Sequence, residues 1–209
     1  MRRACEHIGR AGVEKLSLRA LAREVGVSPT APYRHFPTKQ CLLAALATTG
    51  FRELARALRA AADAHRDDPG AALRAIALAY VAYAQREPVR YRLMFGSVLG
   101  DFDAYEDLMA ASGESYEPLH EVLVRGVGRG LFLDRPVSVL AAHCWSTVHG
   151  MANLLIDKAD AMIRDVPRGA GADDPALRDR PPVHDTARIL RDHPEQVIDV
   201  HLRGLLRTP

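Results

Sequence analysis

Within residues 17–39 the chain gathers hydroxyls at Ser17, Ser28, Thr30 and Tyr33 and cations at Arg19, Arg34 and Lys39, with His35 beside them, around Pro29, Ala31 and Pro32. These side chains donate hydrogen bonds to phosphate oxygens and base edges and offer small apolar surface between them. Their chemistry is the gripping of a polyanion, not the breaking of a bond.

The elements that must position them follow from spacing. Ser17 is a good N-cap, and Leu18, Leu21, Ala22 and Val25 recur behind it at helical period. Gly26 falls where that helix must stop, in a left-handed position cheap only for glycine, and Val27 is placed to plug the corner. Ser28 followed by Pro29 repeats the start signal, so a second helix is expected from about Ser28 to His35. Pro32 lacks an amide hydrogen and fits that helix only if it lies in the first turn, so Ser28 and Thr30 both stand as its cap. Phe36 ends the helix on an aromatic anchor, and Pro37, Thr38 and Lys39 open the next one. A lysine at a helix start opposes the helix dipole, which a phosphate partner would offset. Helix, glycine turn, helix is the helix-turn-helix arrangement, whose second helix enters the major groove.

At these residues the chain resembles the TetR family of bacterial transcription regulators. The match runs through Gly12, Leu16, Ser17, Leu18, Arg19, Leu21, Ala22, Val25, Gly26, Val27 and Ser28 to Tyr33, Arg34, His35, Phe36, Lys39, Leu42 and Leu43. The resemblance implies that Arg19 reaches a base or phosphate and that Pro29, Thr30 and Ala31 face base edges. It further implies that Tyr33, His35 and Lys39 clamp the backbone, with Arg34 a backbone contact at a variable position. Few groups here read bases bidentately, so specificity leans on Arg19, methyl contacts and DNA shape. Family members carry an arm ahead of the first helix, which here starts almost at Met1; either those contacts are absent or the start lies upstream. Three short blocks, Ala31–Phe36, Tyr91–Phe95 and Trp145 with His149–Gly150, resemble the TetR regulators whose C-terminal part is called the WHG domain.

Charge placement points the same way. The 209 residues carry a formal net charge of only +2. Residues 1–46 hold eight lysines and arginines (Arg2, Arg3, Arg10, Lys15, Arg19, Arg23, Arg34, Lys39) against three glutamates (Glu6, Glu14, Glu24), leaving the rest slightly acidic. A basic head on a near-neutral body is the electrostatic footprint of DNA binding, with affinity that falls as salt rises. Cys5, Cys41 and Cys144 show no paired spacing, and no leader or long apolar run is present, so a reduced cytoplasmic protein is expected, and the resemblance implies a bacterial one. Free cysteines on apolar helix faces are more often buried small hydrophobes than thiol sensors. No nucleophile elbow, phosphate loop or zinc-protease motif occurs, so neither catalysis nor a cofactor is expected. His143 and His149 are six apart, not one helical turn, and no metal is expected.

The expected fold is all-α, with about nine helices: a three-helix DNA-binding head over residues 1–46 and a helical effector-binding and dimerisation body over 47–209. Helices are expected over about Arg2–Ala11 and Thr38–His65, after the turn at Asp67–Gly70, and from Pro88 to about Gly96. Others follow from Tyr105 to Arg129, with interruptions foreseen near Gly113 and Pro118, from Pro136 to about Ile163, and from Thr186 with renewal at Pro194. Residues 165–185, rich in proline, glycine and aspartate, read as a mobile loop. By resemblance the last two helices build a homodimer's four-helix bundle, and a two-fold operator follows.

In the body, Tyr80, Tyr83, Tyr91, Met94, Phe95, Trp145, His149 and Met151 form a candidate lining for an apolar or aromatic effector, against the plain alternative that they are core. His149 on its own reads better as a hydrogen-bonded core histidine. The chain is expected to be a ligand-responsive repressor that binds a palindromic DNA operator as a homodimer and is released by a small molecule. The alternative is a helical protein-interaction or binding module with a vestigial helix-turn-helix.

Overall fold

The structure, a computed structural model, describes residues 1–159 and 182–207. Nine α-helices run through the described residues: α1 (Arg2–Ala11), α2 (Leu18–Glu24), α3 (Lys39–Asp63), α4 (Pro69–Arg86), α5 (Pro88–Phe95), α6 (Glu106–Gly128), α7 (Val137–Leu154), α8 (Pro182–Asp192) and α9 (Pro194–Arg203). The described residues form no strand beyond one antiparallel bridge between Phe132 and Leu206. They divide into two compact units, one of residues 1–55 with 87–115 and the other of 56–86 with the described part of 116–209.

In the first unit α3 turns an apolar stripe of helical period inward: Leu42, Leu43, Leu46, Phe51 and Leu54 are all buried. Phe51 meets Phe95 edge-on at 5.2 Å and Phe102 at 6.1 Å, and Tyr91 lies 4.9 Å from Phe95, so ring edges meet ring faces around this core. Arg90 of α5 reaches Glu53 of α3 at 2.5 Å and Glu87 at 3.4 Å.

In the second unit α4 starts at Pro69 because the Asp68 carboxylate accepts from the amides of Gly70 and Ala71 at 2.9 and 3.0 Å. Its stripe of Leu73, Ile76, Ala77, Tyr80, Val81 and Ala84 is buried as the spacing requires. Arg59 bonds Glu121 through both guanidinium nitrogens, one at 2.9 Å, and holds that carboxyl below the usual glutamate range. Arg74 grips Asp199 of α9 at 2.6 and 3.2 Å, and this bond lowers the aspartate's pKa. After α9 the chain is pinned by backbone bonds from Leu133 to Leu205 and from Arg207 to Leu131, each 3.0 Å.

Three boundaries differ from the expectations. Helix α6 runs unbroken through Gly113 and Pro118. Pro118 forfeits one ladder bond, but Leu119, Val122 and Leu123 behind it are buried, and their packing holds the axis. Helix α7 ends at Leu154 and passes into a π turn, Leu155–Ala159, while Ile163 lies outside the described residues. Of the expected mobile loop, 165–181 also lies outside them, and 182–185 belong instead to α8. A proline at the first helical position loses nothing, which lets Pro182 start the helix before Thr186.

Candidate nucleic-acid interface

The Ser17 hydroxyl caps α2 by accepting from the Ala20 amide at 3.1 Å. At the other end the Gly26 amide bonds the Arg23 carbonyl at 3.2 Å and the Val27 amide bonds that of Ala22 at 3.0 Å. With Gly26 at φ +73°, this is a Schellman ending, and a side chain there would be strained. Leu16, Leu18 and Ala22 are buried beside Ala4 and His7 of α1, so the opposite side of α2, with Arg19 and Arg23, faces outward. Val25 and Val27 are each 46% exposed, which corrects their expected places in the stripe and at the corner. The helix ends at Val25 and the glycine reversal carries Val27 away, so neither follows Leu18 and Ala22 into the core.

The second element is shorter than expected. Ser28 to His35 does not form an α-helix; the regular part is a four-residue 3-10 turn, Ala31–Arg34. Pro29 and Pro32 remove two amide donors from this stretch, and without the Pro32 amide the bond back to the Ser28 carbonyl cannot form. The carbonyls of Ser28, Thr30 and Pro32 take three-residue bonds from Ala31, Tyr33 and His35 instead, at 3.0, 3.2 and 3.0 Å. Thr30 precedes the turn without capping it, and its hydroxyl lies 3.3 Å from that of Ser28. Arg19, Arg23, Pro29, Thr30 and Tyr33 line one open hollow, with Tyr33 43% exposed. Ala31 is half-buried behind them, and Arg34 and His35 are exposed beyond. Lys39 stands in the first turn of α3, where its ammonium donates to the Glu14 carbonyl at 3.2 Å. A phosphate would compete with that carbonyl for it.

Part of the head's positive charge is neutralised locally. On α1, Arg3 pairs with Glu6 at 2.9 Å and Arg2 lies 3.7 Å from it, while Arg10 and His7 reach Glu24 at 3.3 and 2.8 Å. Arg19, Arg23 and Arg34 have no acidic partner among the described residues. Lys15 and Lys39 have none either, and of these five cations Arg19 and Arg23 line the hollow. Arg23 was not among the residues singled out from the sequence, yet its four-residue spacing from Arg19 was the signal that places both on one face.

The candidate effector residues split between the units. Tyr91 and Met94 are buried and Phe95 half-buried in the first; Tyr80, Tyr83 and Met151 are buried in the second. There the Tyr80 hydroxyl and His149 Nδ1 lie 3.0 Å apart, and the His149 ring sits 5.5 Å from that of Trp145, which is 47% exposed. Burial lowers the pKa of His149, and burial followed by the nearby His143 lowers that of His201, whose ring is 4.7 Å from that of His143. Groups held below their unfolded pKa bind fewer protons in the folded state, so stability falls as pH drops below about 6.5 toward their folded values. Thermal melting between pH 7.5 and 5.5 is expected to show that decline, with a shallower slope in His149→Phe; equal slopes would remove His149 from the account. Burial pushes the Cys144 thiol up to about 11, leaving it protonated and inert near neutral pH. No group of three or more metal-ligating side chains is assembled among the described residues, and no described helix is long and apolar enough to cross a membrane.

A capped helix, a left-handed glycine turn and a polar second turn ringed by unpaired arginines, set in an all-α chain, define a helix-turn-helix DNA-binding regulator. Residues 1–46 match the family described as bacterial regulatory proteins, tetR family, and residues 73–170 the tetracyclin repressor-like C-terminal domain. The chain belongs to the TetR family. The second match encloses Tyr91–Phe95, Trp145 and His149–Gly150, on which the WHG resemblance rests in part.

A protein of unknown function from Rhodococcus sp. RHA1 is 30% identical, with 99% of this chain and 93% of that one covered and a TM-score of 0.74. The TetR family transcriptional regulator PfmR of Thermus thermophilus shares the fold at 24% identity and a TM-score of 0.62, over 98% of this chain and 97% of its own. An HTH-type transcriptional regulator of Mycobacterium bovis is 34% identical over 100 residues, 47% of this chain and 43% of the relative, so the match spans less than half of either protein.

Proposed function

We propose that the protein is a ligand-responsive repressor that binds a palindromic operator as a homodimer and leaves it when a small apolar or aromatic molecule enters the body. In this reading residues 1–46 are the DNA-binding head and 47–209 the cytoplasmic effector and dimerisation part, with the last two helices forming the subunit contact. The observation that carries it is the open hollow of Arg19, Thr30 and Tyr33, where cations without acidic partners meet a polar helical turn. Two heads in one dimer would reach half-sites about 34–36 Å apart, and an effector that favours another spacing would release the DNA by population shift.

The test is a binding titration on duplex from the region beside the gene. Lys39→Ala is expected to weaken binding about tenfold and reduce the salt slope by about one; Tyr33→Ala should weaken it similarly with the slope unchanged. Operator binding by both variants as tight as wild type would contradict the interface. A wild-type chain indifferent to every duplex at low salt would favour a protein-interaction module instead.

A further inference from the structure

We propose that Arg23 reads sequence: from the last turn of α2 its guanidinium fixes a guanine in each operator half-site. The proposal rests on the DNA-binding reading above and adds a specificity-determining residue to it.

The recognition turn cannot do this reading alone. Residues 29–32 are Pro, Thr, Ala and Pro, and none has the paired donors or acceptors that identify a purine in the major groove. Thr30 has its hydroxyl turned toward Ser28, so it offers mainly a methyl group. The turn is only four residues of 3-10 helix and presents little side-chain length. Long hydrogen-bonding groups must come from a neighbouring element.

Arg19 and Arg23 are the long donors that share the hollow with Pro29, Thr30 and Tyr33. Arg19 lies in the first turn of α2 and Arg23 one turn later, next to the glycine reversal that delivers the chain to Pro29. The Arg23 carbonyl accepts the Gly26 amide, so its backbone is pinned where the side chain departs. Its guanidinium has no acidic partner among the described residues, and the adjacent Glu24 is engaged by His7 and Arg10. An exposed, uncompensated guanidinium on a pinned backbone has no ion pair to give up on meeting DNA. Its planar fork matches guanine O6 and N7, which a lysine ammonium does not.

The experiment selects preferred duplexes with the full wild-type chain from a randomised pool. Wild type, Arg23→Ala and Arg23→Lys are then titrated on the selected duplex, on each single base-pair variant of it and on random DNA, at several salt concentrations. Arg23→Ala is expected to bind the selected duplex about ten- to a hundredfold more weakly and to lose its preference at one G·C pair per half-site, with random-DNA binding much less affected. Arg23→Lys should not restore that preference. Equal weakening on all duplexes with a salt slope lower by about one would make Arg23 a phosphate contact and overturn the proposal, as would no change at all. A wild type that selects nothing overturns the DNA-binding reading itself, and this proposal with it. Melting temperatures of both variants equal to wild type confirm that they remain folded.

Discussion

Gly126→Ala is expected to destabilise the protein by about 2 kcal/mol, although alanine is the better helix former. A Cβ at position 126 would lie 2.0 and 2.1 Å from two ring carbons of Phe132. That ring cannot swing aside cheaply, because Phe132 is 2% exposed and its backbone is bridged to Leu206. Overpacking of this severity costs about 3 kcal/mol, and the gain in helix propensity returns about 1. The opposite result is expected at Gly113 in the same helix, where an added Cβ meets nothing within 4 Å. Gly113→Ala should stabilise by about 0.5–1 kcal/mol. Urea unfolding of the two variants measures both signs, and a Gly126→Ala midpoint at or above wild type would refute the packing argument.

These two glycines mark where the sequence stopped being informative. The sequence foresaw a break near Gly113 and nothing at Gly126, whereas the glycine that matters is Gly126; the ring that separates them arrives only when Phe132 folds back on α6. Local signals did better. The Ser17 cap and the Gly26 reversal each depend on residues within five positions, and both take the expected form. The apolar stripes of α3 and α4 were legible because burial on one side of a helix imposes its period on the residues. The second helix of the pair was overextended, since two prolines three apart permit a helical turn but remove the donors an α-ladder needs. The unpaired state of Arg19, Arg23 and Arg34 was hidden in the net charge, which counts arginines without saying which are neutralised by Glu6 and Glu24. Pairing across distance was equally invisible, and Arg90 with Glu53, 37 residues apart, is the case with the largest consequence.

Arg90→Met is expected to cost about 3 kcal/mol, more than an exposed ion pair can account for. The Arg90 side chain is 14% exposed and that of Glu53 28%, so the pair is largely shielded from water. The Arg90 pKa is raised despite the opposing effect of burial, by the neighbouring Cys5 side chain of α1 and the charges of Glu53 and Glu87. One guanidinium thus answers groups on α1, on α3 and at the residue before α5. Methionine keeps the apolar stem and most of the volume, so the loss measures the charge and its bonds and not a cavity. Removing the cation alone strands the Glu53 carboxylate in a partly dehydrated site. The double variant Arg90→Met with Glu53→Leu removes both charges and is expected to regain more than half of the lost stability. Urea midpoints for the two single variants and the double give the coupling directly. Additive losses, with no recovery in the double variant, would show that Arg90 does not stabilise through its pairing with Glu53.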